Sequence, residues 1–401
     1  MNNIYAALEI GTTRTVLAIG ECESGGRLKI TCHAEIPSTG VRKSQILDIN
    51  QATQSIRSVL HAIERKQDET GSKITIGNAF LTVSGQHVKA DPFFGAAQVE
   101  GQRVGPDEMN EVLRSAHAMT LPKDREFLDI IDQDYVLDNL GGIADPNGMA
   151  GRVLRLNTLQ IHADRNRIQD ARTAADAAHL EIREALFSTT CAAEAVLEDY
   201  EKKNGVLVID LGGGSTGYAV YADGYLVSTG SVGVGGDHVT NDIAHAFQTT
   251  NAQAEGIKTN EASALARVEP DATSRVKVEQ GENTLMDNRT ISRQALNTVV
   301  NARLLELFTV IRETLEDQDL LHRLHAGVVL TGGGAQLRDI GTLVQQTLGT
   351  SARIGTPIHV DGIEDEPFPA SFATIAGALL YASRNYEEKP FFNGIFGRLF
   401  K

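Results

Sequence analysis

The chain has 401 residues, a length that corresponds to two to four domains of ordinary size. Hydrophobic residues make up 41% and charged residues 22%, which excludes a low-complexity or fully disordered chain. The formal net charge of −15 disfavours attraction of the whole protein to nucleic acid or to an anionic bilayer. We therefore expect no nucleic-acid partner, and any contact with a polyanion must be local.

Cysteine usage and hydropathy exclude several further classes of protein. Cys22, Cys32 and Cys191 form neither a disulfide framework nor a paired metal-binding spacing, which fits a reducing cytoplasm and predicts no structural zinc. Residues 1–5 lack the basic and apolar regions of a signal peptide. Because no apolar run approaches 18 residues, we also expect no membrane span.

Two distant segments share one pattern of strand, acid, glycine loop, strand and tight turn. In the first, the apolar residues 4–8 precede Glu9 and lead into the loop Gly11-Thr12-Thr13. In the second, residues 206–209 precede Asp210 and lead into Gly212-Gly213-Gly214-Ser215-Thr216. Solenoid repeats are only about 20 to 50 residues long. A repeat over roughly half the chain therefore predicts two similar lobes.

Helical periodicity follows these hairpins and makes each lobe α/β. The helical stretches are residues 49–62, 170–180, 243–246 and 300–315. A further apolar strand at residues 327–330 leads into Thr331-Gly332-Gly333-Gly334, after which a helix is expected from Leu337.

Two regions interrupt this plan. Residues 83–164 contain strands of their own and a helix near 106–119, opened by Asp107 and Glu108 as suits a helix start. We interpret them as an inserted subdomain. Residues 269–288 are charged and weakly apolar, and are expected to form a loop or a small sheet.

The second glycine loop, residues 212–217, matches G-x-G-x-x-G, but its context argues against a dinucleotide site. A Rossmann loop must open a helix, whereas the residues after Gly217 predict a strand. No G-x-x-x-x-G-K-[ST] motif occurs. The remaining interpretation is a hairpin-tip phosphate site, in which backbone N–H groups and the hydroxyl of Ser215 or Thr216 meet phosphate oxygens. For a single such loop, a simple tight turn is the alternative.

Glu9 and Asp210 follow equivalent strands and would lie beside these loops. Magnesium retains several waters and prefers carboxylate and phosphate oxygens. We therefore expect the two acids to hold Mg²⁺ through its water shell.

The glycine hairpins, together with residues 331–334, resemble the two phosphate loops and the adenosine loop of the actin, heat-shock chaperone and sugar-kinase superfamily. Within it, stretches over nearly the whole chain resemble the FtsA family of bacterial cell-division proteins. These stretches are residues 83–85, 124–126, 133–135, 142–149, 235–244 and 254–258. Residues 142–149 and 239–242 are far more specific than the glycine loops.

The resemblance implies an α/β, actin-like two-lobed fold of duplicated ribonuclease-H-like domains, with an inserted α+β subdomain and a C-terminal amphipathic helix. The implied boundaries are 1–83, 164–203 and 363–386 for lobe I, 84–163 for the insert, 204–245 and 325–362 for the core of lobe II, 246–324 for its peripheral part, and 387–401 for a linker and tail.

The resemblance also implies ATP and Mg²⁺ as ligands. Glu255 and Lys258 would lie beside the ribose and adenine, although an exposed helix face is the alternative for both. The full set implied for the nucleotide is Glu9, Gly11, Thr12, Thr13, Asp210, Gly212, Gly213, Gly214, Ser215, Thr216, Gly236, Glu255, Lys258, Gly332, Gly333 and Gly334.

The chain departs from the family pattern in three ways. Glu9 stands where aspartate is usual, and Gly217 and Tyr218 follow the second loop where an aspartate is usual. Ser188 stands where strongly hydrolysing relatives carry a water-orienting carboxylate. Hydrolysis needs a group that positions or deprotonates water. We therefore expect ATP binding with slow or absent turnover, and name no catalytic residue.

The last eleven residues have an amphipathic helical pattern. Their apolar half holds Phe391, Phe392, Ile395, Phe396, Leu399 and Phe400, and Arg398 and Lys401 lie on the other half. Such a helix suits a membrane interface. Two or three buried side chains at about 1.5 to 3 kcal/mol each bind weakly alone, but a polymer adds avidity. The alternative is a tail packed on its own lobe or on a partner, and the short linker at 387–390 limits its reach.

Other candidate sites are weaker. His322 and His325 are three residues apart on an expected helix without a third ligand, which indicates a solvated face rather than a metal site. Arg165 and Arg167 are interpreted as surface charge, and no G-x-S-x-G motif supports acyl transfer.

The family resemblance implies a function at the cytoplasmic face of the cell membrane, at the division site. There the protein would polymerise, anchor filaments of the tubulin-like protein FtsZ and recruit later division proteins. The alternatives are an actin-like ATPase or phosphotransferase, which needs a base near the γ-phosphate, and an actin-like adaptor of pilus assembly, which should lack the terminal helix.

Overall fold

A computed structural model describes residues 3–22, 27–71, 74–266, 274–278 and 289–386. The described strands are β1 (Asn3–Ile10), β2 (Arg14–Cys22), β3 (Leu28–Pro37), β4 (Val41–Arg42), β5 (Gln45–Ile46), β6 (Asn78–Val83), β7 (Lys89–Gln98), β8 (Arg125–Leu137), β9 (Leu140–Ile143), β10 (Val153–Asp164), β11 (Glu181–Phe187), β12 (Val206–Leu211), β13 (Thr216–Ala222), β14 (Tyr225–Val232), β15 (Arg275–Val278), β16 (Arg289–Ser292), β17 (Gly327–Thr331), β18 (Ala352–Ile354) and β19 (Val360–Asp361). The described α-helices are α1 (Ile49–Thr70), α2 (Pro106–Ala116), α3 (Arg165–Ala177), α4 (Ser188–Val196), α5 (Asp199–Asn204), α6 (Gly236–Ala246), α7 (Asn251–Glu261), α8 (Arg293–Asp317), α9 (Ile340–Leu348) and α10 (Ala373–Asn385).

The predicted duplication is visible in the two large sheets. Lobe I has the strand order β11-β6-β1-β2-β3-β19, and lobe II has β14-β13-β12-β17-β18. In each, three consecutive antiparallel strands are followed by a parallel strand beside the first of the three. Glu9 is the penultimate residue of β1 and Asp210 is the penultimate residue of β12. The two acids therefore lie at corresponding ends of equivalent strands in the two lobes.

Helix α1 shows how local sequence and packing agree in lobe I. Asp48 caps its first turn by accepting a hydrogen bond from the Gln51 amide, and Gly71 ends it in the left-handed conformation. Its buried face includes Ile56, Val59 and Ile63, spaced as one helix face requires. This face packs against β2 and β3, whereas α10 packs against α4 and the first strands of the sheet.

The inserted subdomain has its own sheet and its own small core. Its strand order is β7-β10-β8-β9, and α2 packs against β7 and β10. Val112, Ala116, Leu154 and Leu156 are buried there in a cluster separate from the cores of the two lobes. Gly95 allows the close approach of α2, because a Cβ at this position would overlap the Ala116 backbone.

Three local expectations need correction, and a fourth, the loop or small sheet expected at 269–288, is confirmed as a small sheet in its described part. Strand β19 pairs with β3 in the sheet of lobe I, so the chain returns to that lobe before residue 362. The helix expected from Leu337 begins at Ile340, because residues 333–336 form a 3-10 turn. His322 lies on a three-residue 3-10 turn rather than an α-helix, and His325 lies beyond it. In the charged stretch 269–288, residues 275–278 form a strand paired with β16.

The membrane-tail residues predicted at 391–401 lie outside the described part of the chain. Within the described part, the helices are either too short or too polar to cross a membrane.

Candidate functional site

A cleft of about 320 Å³ separates the edges of the two large sheets. The loops that follow β1, β12 and β17 meet there, together with the beginning of α6 and one face of α7. The cleft brings together most of the residues predicted from the sequence. Those that line it are Glu9, Gly11, Thr12, Thr13, Asp210, Gly212, Gly213, Gly214, Ser215, Gly236, Glu255, Lys258, Gly332, Gly333 and Gly334.

Thr216 is the exception among the predicted residues. Its side chain is fully buried, and its hydroxyl donates to the Val234 carbonyl at 2.7 Å. It does not line the cleft. Thr216 therefore ties the end of the second loop to the segment between β14 and α6, and Ser215 remains as the hydroxyl donor of that loop.

The glycine loops of the two lobes approach each other too closely for side chains. A Cβ on Gly213 would overlap Thr13 Oγ1, and a Cβ on Gly214 would overlap Thr12 Oγ1. The amide of Gly236 donates to the Gly212 carbonyl at 2.9 Å, so the start of α6 is tied to the second loop. Glycine backbone from both lobes thus converges with the hydroxyls of Thr12 and Thr13 from lobe I, an arrangement suited to phosphate oxygens.

The two predicted acids lie at the base of this loop pair, where their side chains are partly exposed to the cleft and their carboxyl groups are buried by the surrounding protein. Burial and the neighbouring Glu9 charge raise the pKa of Asp210 to about 7, and burial raises the pKa of Glu9 as well. Thr374 Oγ1 donates to Asp210 Oδ2 at 3.3 Å. Two close buried carboxyls favour a cation between or near them. Within the described ranges, however, no three His, Cys, Asp or Glu side chains gather into a metal site, so a cation here would need water or phosphate ligands, as Mg²⁺ accepts.

Lys258 is held inside the cleft and is only 14% exposed. Its Nζ donates to Glu255 Oε2 at 2.6 Å, Thr240 Oγ1 at 2.9 Å and the Gly236 carbonyl at 3.2 Å. The alternative of an exposed helix face is therefore wrong for Lys258. The ammonium is positioned over the start of α6, where it adds positive charge to the cleft.

Residues outside the set predicted from the sequence also line the cleft. Arg14 donates to the Ser371 carbonyl at 2.6 Å, forms an ion pair with Glu35, and lies over the ring of Phe372. The sequence feature that could have predicted Arg14 as a cleft residue is its position directly after the first glycine loop. Asp237, whose pKa burial raises, and Ser44 line the cleft as well. Asp237 lies in the family-like stretch 235–244, whereas Ser44 belongs to no recognisable local motif.

Ser188, at the position where the resemblance implies a water-orienting carboxylate in hydrolysing relatives, is engaged by contacts within the protein. Ser188 is buried, and its Oγ donates to the Val83 carbonyl at 2.6 Å. The neighbouring Thr189 is buried against Gly217. Neither residue offers a group that could remove a proton from water near the glycine loops.

Arg167, interpreted from the sequence as surface charge, is half-buried, and its Nη1 lies 3.4 Å from Nδ1 of His87. Arg165 is exposed, but its Nη2 donates to the Arg125 carbonyl at 3.0 Å. Arg167 therefore joins α3 to the entry of the inserted subdomain, and Arg165 joins it to the start of β8.

Comparison with known families gives two matches on this chain. The model of the cell division protein FtsA matches residues 207–377, and the model of the SHS2 domain inserted in FtsA matches residues 85–162. The second range lies within one residue of the predicted insert at each end.

Curated relatives match nearly the full length. The cell division protein FtsA of Pseudomonas aeruginosa is 32% identical over 379 residues, with 94% of this chain and 89% of the relative covered. FtsA of Escherichia coli K12 is 28% identical, with coverage of 96% and 91%, and FtsA of Bacillus subtilis is 28% identical, with coverage of 96% and 84%.

Solved structures share the fold. A PilM-PilN type IV pilus biogenesis complex matches with a TM-score of 0.65 at 17% identity, covering 96% of this chain and 98% of that chain. MreB5 of Spiroplasma citri bound to ADP matches with a TM-score of 0.52 at 14% identity, covering 95% and 97%. With the sheet topology, the insert and these relatives in agreement, the chain belongs to the FtsA family of actin-like cell division proteins.

Proposed function

We propose that this protein binds ATP with Mg²⁺ in the cleft between its lobes. The observation that carries the proposal is the pair of facing glycine loops with a buried acid at the base of each. The related fold of MreB5 of Spiroplasma citri has been solved bound to ADP and to AMPPNP, which supports a nucleotide as the ligand of such a cleft.

The residues have distinct roles in this proposal. Amides of the two glycine loops and the hydroxyls of Thr12, Thr13 and Ser215 bind the phosphates. Glu9 and Asp210 hold Mg²⁺ through water, and the ion neutralises phosphate charge when bound. Lys258 and Glu255 contact the ribose and adenine, and Gly332, Gly333 and Gly334 support the nucleoside. Gly236, at the start of α6, completes the phosphate end.

Turnover is slow or absent in this proposal. The Ser188 hydroxyl is engaged by a backbone carbonyl, and Gly217 leaves the second loop without a further carboxylate. A steady-state phosphate-release assay checks this point. Fast turnover would favour the alternative of an ATPase or phosphotransferase on the same fold.

In the cell, the protein polymerises on the cytoplasmic membrane, anchors FtsZ filaments at the division site and recruits later division proteins. Membership of a cell-division family supports this role. The charge distribution supports an orientation in which the C-terminal tail faces the membrane and the body faces away from it. The body is acidic overall, whereas residues 389–401 contain Lys389, Arg398 and Lys401 and no acid. This positively charged end therefore meets an anionic lipid surface without the repulsion expected for the acidic body.

The start of the tail is anchored in lobe I. Tyr386 hydrogen-bonds to Glu184 through its hydroxyl and accepts from the Tyr5 hydroxyl through its carbonyl. The Arg183 guanidinium lies 4.3 Å from the centre of its ring. Tyr386, the last described residue before the tail, is therefore fixed on lobe I, and in this proposal that face of lobe I is turned toward the membrane.

Liposome co-sedimentation tests the membrane role. The full chain and a truncation after Glu388 are mixed with vesicles containing anionic lipid, each with and without ATP and with FtsZ added. We expect the full chain to pellet and to carry FtsZ with it, and the truncated chain to stay in solution. Equal pelleting of both proteins would rule out tethering by the tail. Calorimetric titration with ATP and Mg²⁺ tests the nucleotide site separately.

A further inference from the structure

The short hairpin of β4 and β5 has an unusual turn. Its two central residues, Lys43 and Ser44, have φ values of 50° and 57°. Positive φ at both central positions defines the type I′ turn, for which Asn-Gly is the favoured sequence because side chains with a Cβ resist this conformation. Strained backbone of this kind persists only where the surroundings enforce it, and it is concentrated at functional sites.

The turn lies between the two glycine loops and contacts both. The Ser44 amide donates to Thr12 Oγ1 at 2.8 Å, in the first loop. Ser44 Oγ is 2.9 Å from Ser215 Oγ, in the second loop. A Cβ on Gly214 would lie 2.9 Å from Lys43 Cα. The hairpin is thus the third backbone element at the phosphate end of the cleft, and Ser44 lines the cleft directly.

The turn also brings positive charge to this end. Lys43 lies beside Gly214 of the second loop through its backbone, and burial and then the Lys43 charge lower the pKa of His238 in the first turn of α6. The start of α6 carries the positive end of the helix dipole. Lys43 and α6 therefore favour an anion at the point where the hairpin meets the second loop.

We propose that the Lys43-Ser44 turn binds the terminal phosphate of a nucleoside triphosphate and so distinguishes triphosphate from diphosphate. This inference rests on the proposed nucleotide function. The Ser44 hydroxyl, now shared with Ser215, donates to the terminal phosphate, and Lys43 neutralises part of its charge. A diphosphate, held by the glycine loops alone, does not reach the turn. The two lobes are then joined through the hairpin more firmly with a triphosphate than with a diphosphate.

Calorimetric titration with ATP and with ADP, each with Mg²⁺, tests the proposal on the full chain. Ser44→Gly removes the hydroxyl and suits the turn better, and Lys43→Asn removes the charge while tolerating positive φ. We expect each variant to lose about tenfold in ATP affinity, equivalent to ~1.4 kcal/mol, and to keep its ADP affinity within about twofold. Arg42→Gln, in the same hairpin but outside the cleft, is the matched control and should change neither.

The outcomes separate this inference from the proposed function. Suppose that the wild type binds both nucleotides and that the variants lose affinity for ATP and ADP equally, or for neither. This result would overturn the role of the Lys43-Ser44 turn but would leave nucleotide binding intact. Wild-type protein that binds neither nucleotide would overturn both. Thermal unfolding of each variant without nucleotide shows whether an affinity loss reflects misfolding, and Lys43→Asn provides a second reading if Ser44→Gly changes the fold.

Discussion

Thr189 on α4 occupies the space into which any side chain at Gly217 on β13 would project. A Cβ on Gly217 would overlap Thr189 Oγ1 and would lie 2.9 Å from Thr189 Cβ. Thr189 is fully buried. Because α4 belongs to lobe I and β13 to lobe II, this contact closes the two lobes against each other beside the cleft.

Gly217→Ala should therefore destabilise the protein, although it adds only one methyl group. Overpacking of a buried contact costs about 1 to 3 kcal/mol, and urea denaturation measures the loss. Thr189→Gly combined with Gly217→Ala should recover part of it, since the two changes share one space. Gly341→Ala, at a helix position with nothing within 4 Å, is the control and should be neutral or slightly stabilising. Strict additivity of the two changes would contradict the packing argument.

The buried carboxyl of Asp210 predicts a pH dependence of stability. Its pKa is about 7 in the folded protein against an ordinary value of 3.8, so between these values the folded state holds a proton that the unfolded state has released. The free energy of unfolding contributed by this group therefore falls as pH rises from about 4 to about 7.

Asp210→Asn should flatten that slope. Urea denaturation at a series of pH values, without added metal, compares the variant with the wild type. Glu9→Gln is expected to act in the same direction, because burial raises the pKa of Glu9 too. Parallel curves for wild type and Asp210→Asn would show that Asp210 does not titrate in this range.

His87, at the entry to the inserted subdomain, predicts the opposite dependence. Burial and the charges of Arg167 and Arg125 lower its pKa to about 4, and Asp164 opposes them. Between about 4 and the ordinary value of 6.5, the unfolded state binds a proton that the folded state does not. Stability from this group is therefore complete above pH 6.5 and is lost as pH falls toward 4. His87→Gln should reduce this loss in thermal unfolding between pH 7 and pH 4, and an unchanged profile would refute the assignment.

Lys258 predicts a loss of nucleotide affinity without a loss of selectivity. Charge-assisted hydrogen bonds contribute about 1.5 to 3 kcal/mol, so Lys258→Met should weaken ATP and ADP alike by roughly tenfold or more. Calorimetric titration measures both. Lys203→Met, on α5 and outside the cleft, is the charge-matched control. Retention of full affinity by Lys258→Met would remove Lys258 from the site.

Local patterns account for the parts of the protein that are built from neighbouring residues. An apolar run, an acid and a glycine loop predict a strand and its tip, and two copies of this pattern predict two lobes. Strands β1, β12 and β17, the inserted subdomain and nearly all of the cleft glycines follow from such signals. Each signal spans fewer than about ten residues, within which backbone preference and periodicity act.

Local patterns and motifs predict the family, the duplicated plan and the residue types of the cleft, but the packing of the two lobes sets which atoms of those residues are available for binding. Thr216 shares a loop with Ser215, yet its hydroxyl is engaged by Val234 while that of Ser215 meets Ser44. Ser44 is separated from Ser215 by 171 positions, so no periodicity relates them. Hydrogen-bond partners across such separations are set by how the lobes pack, because each buried polar group must be satisfied by whatever the fold brings within reach.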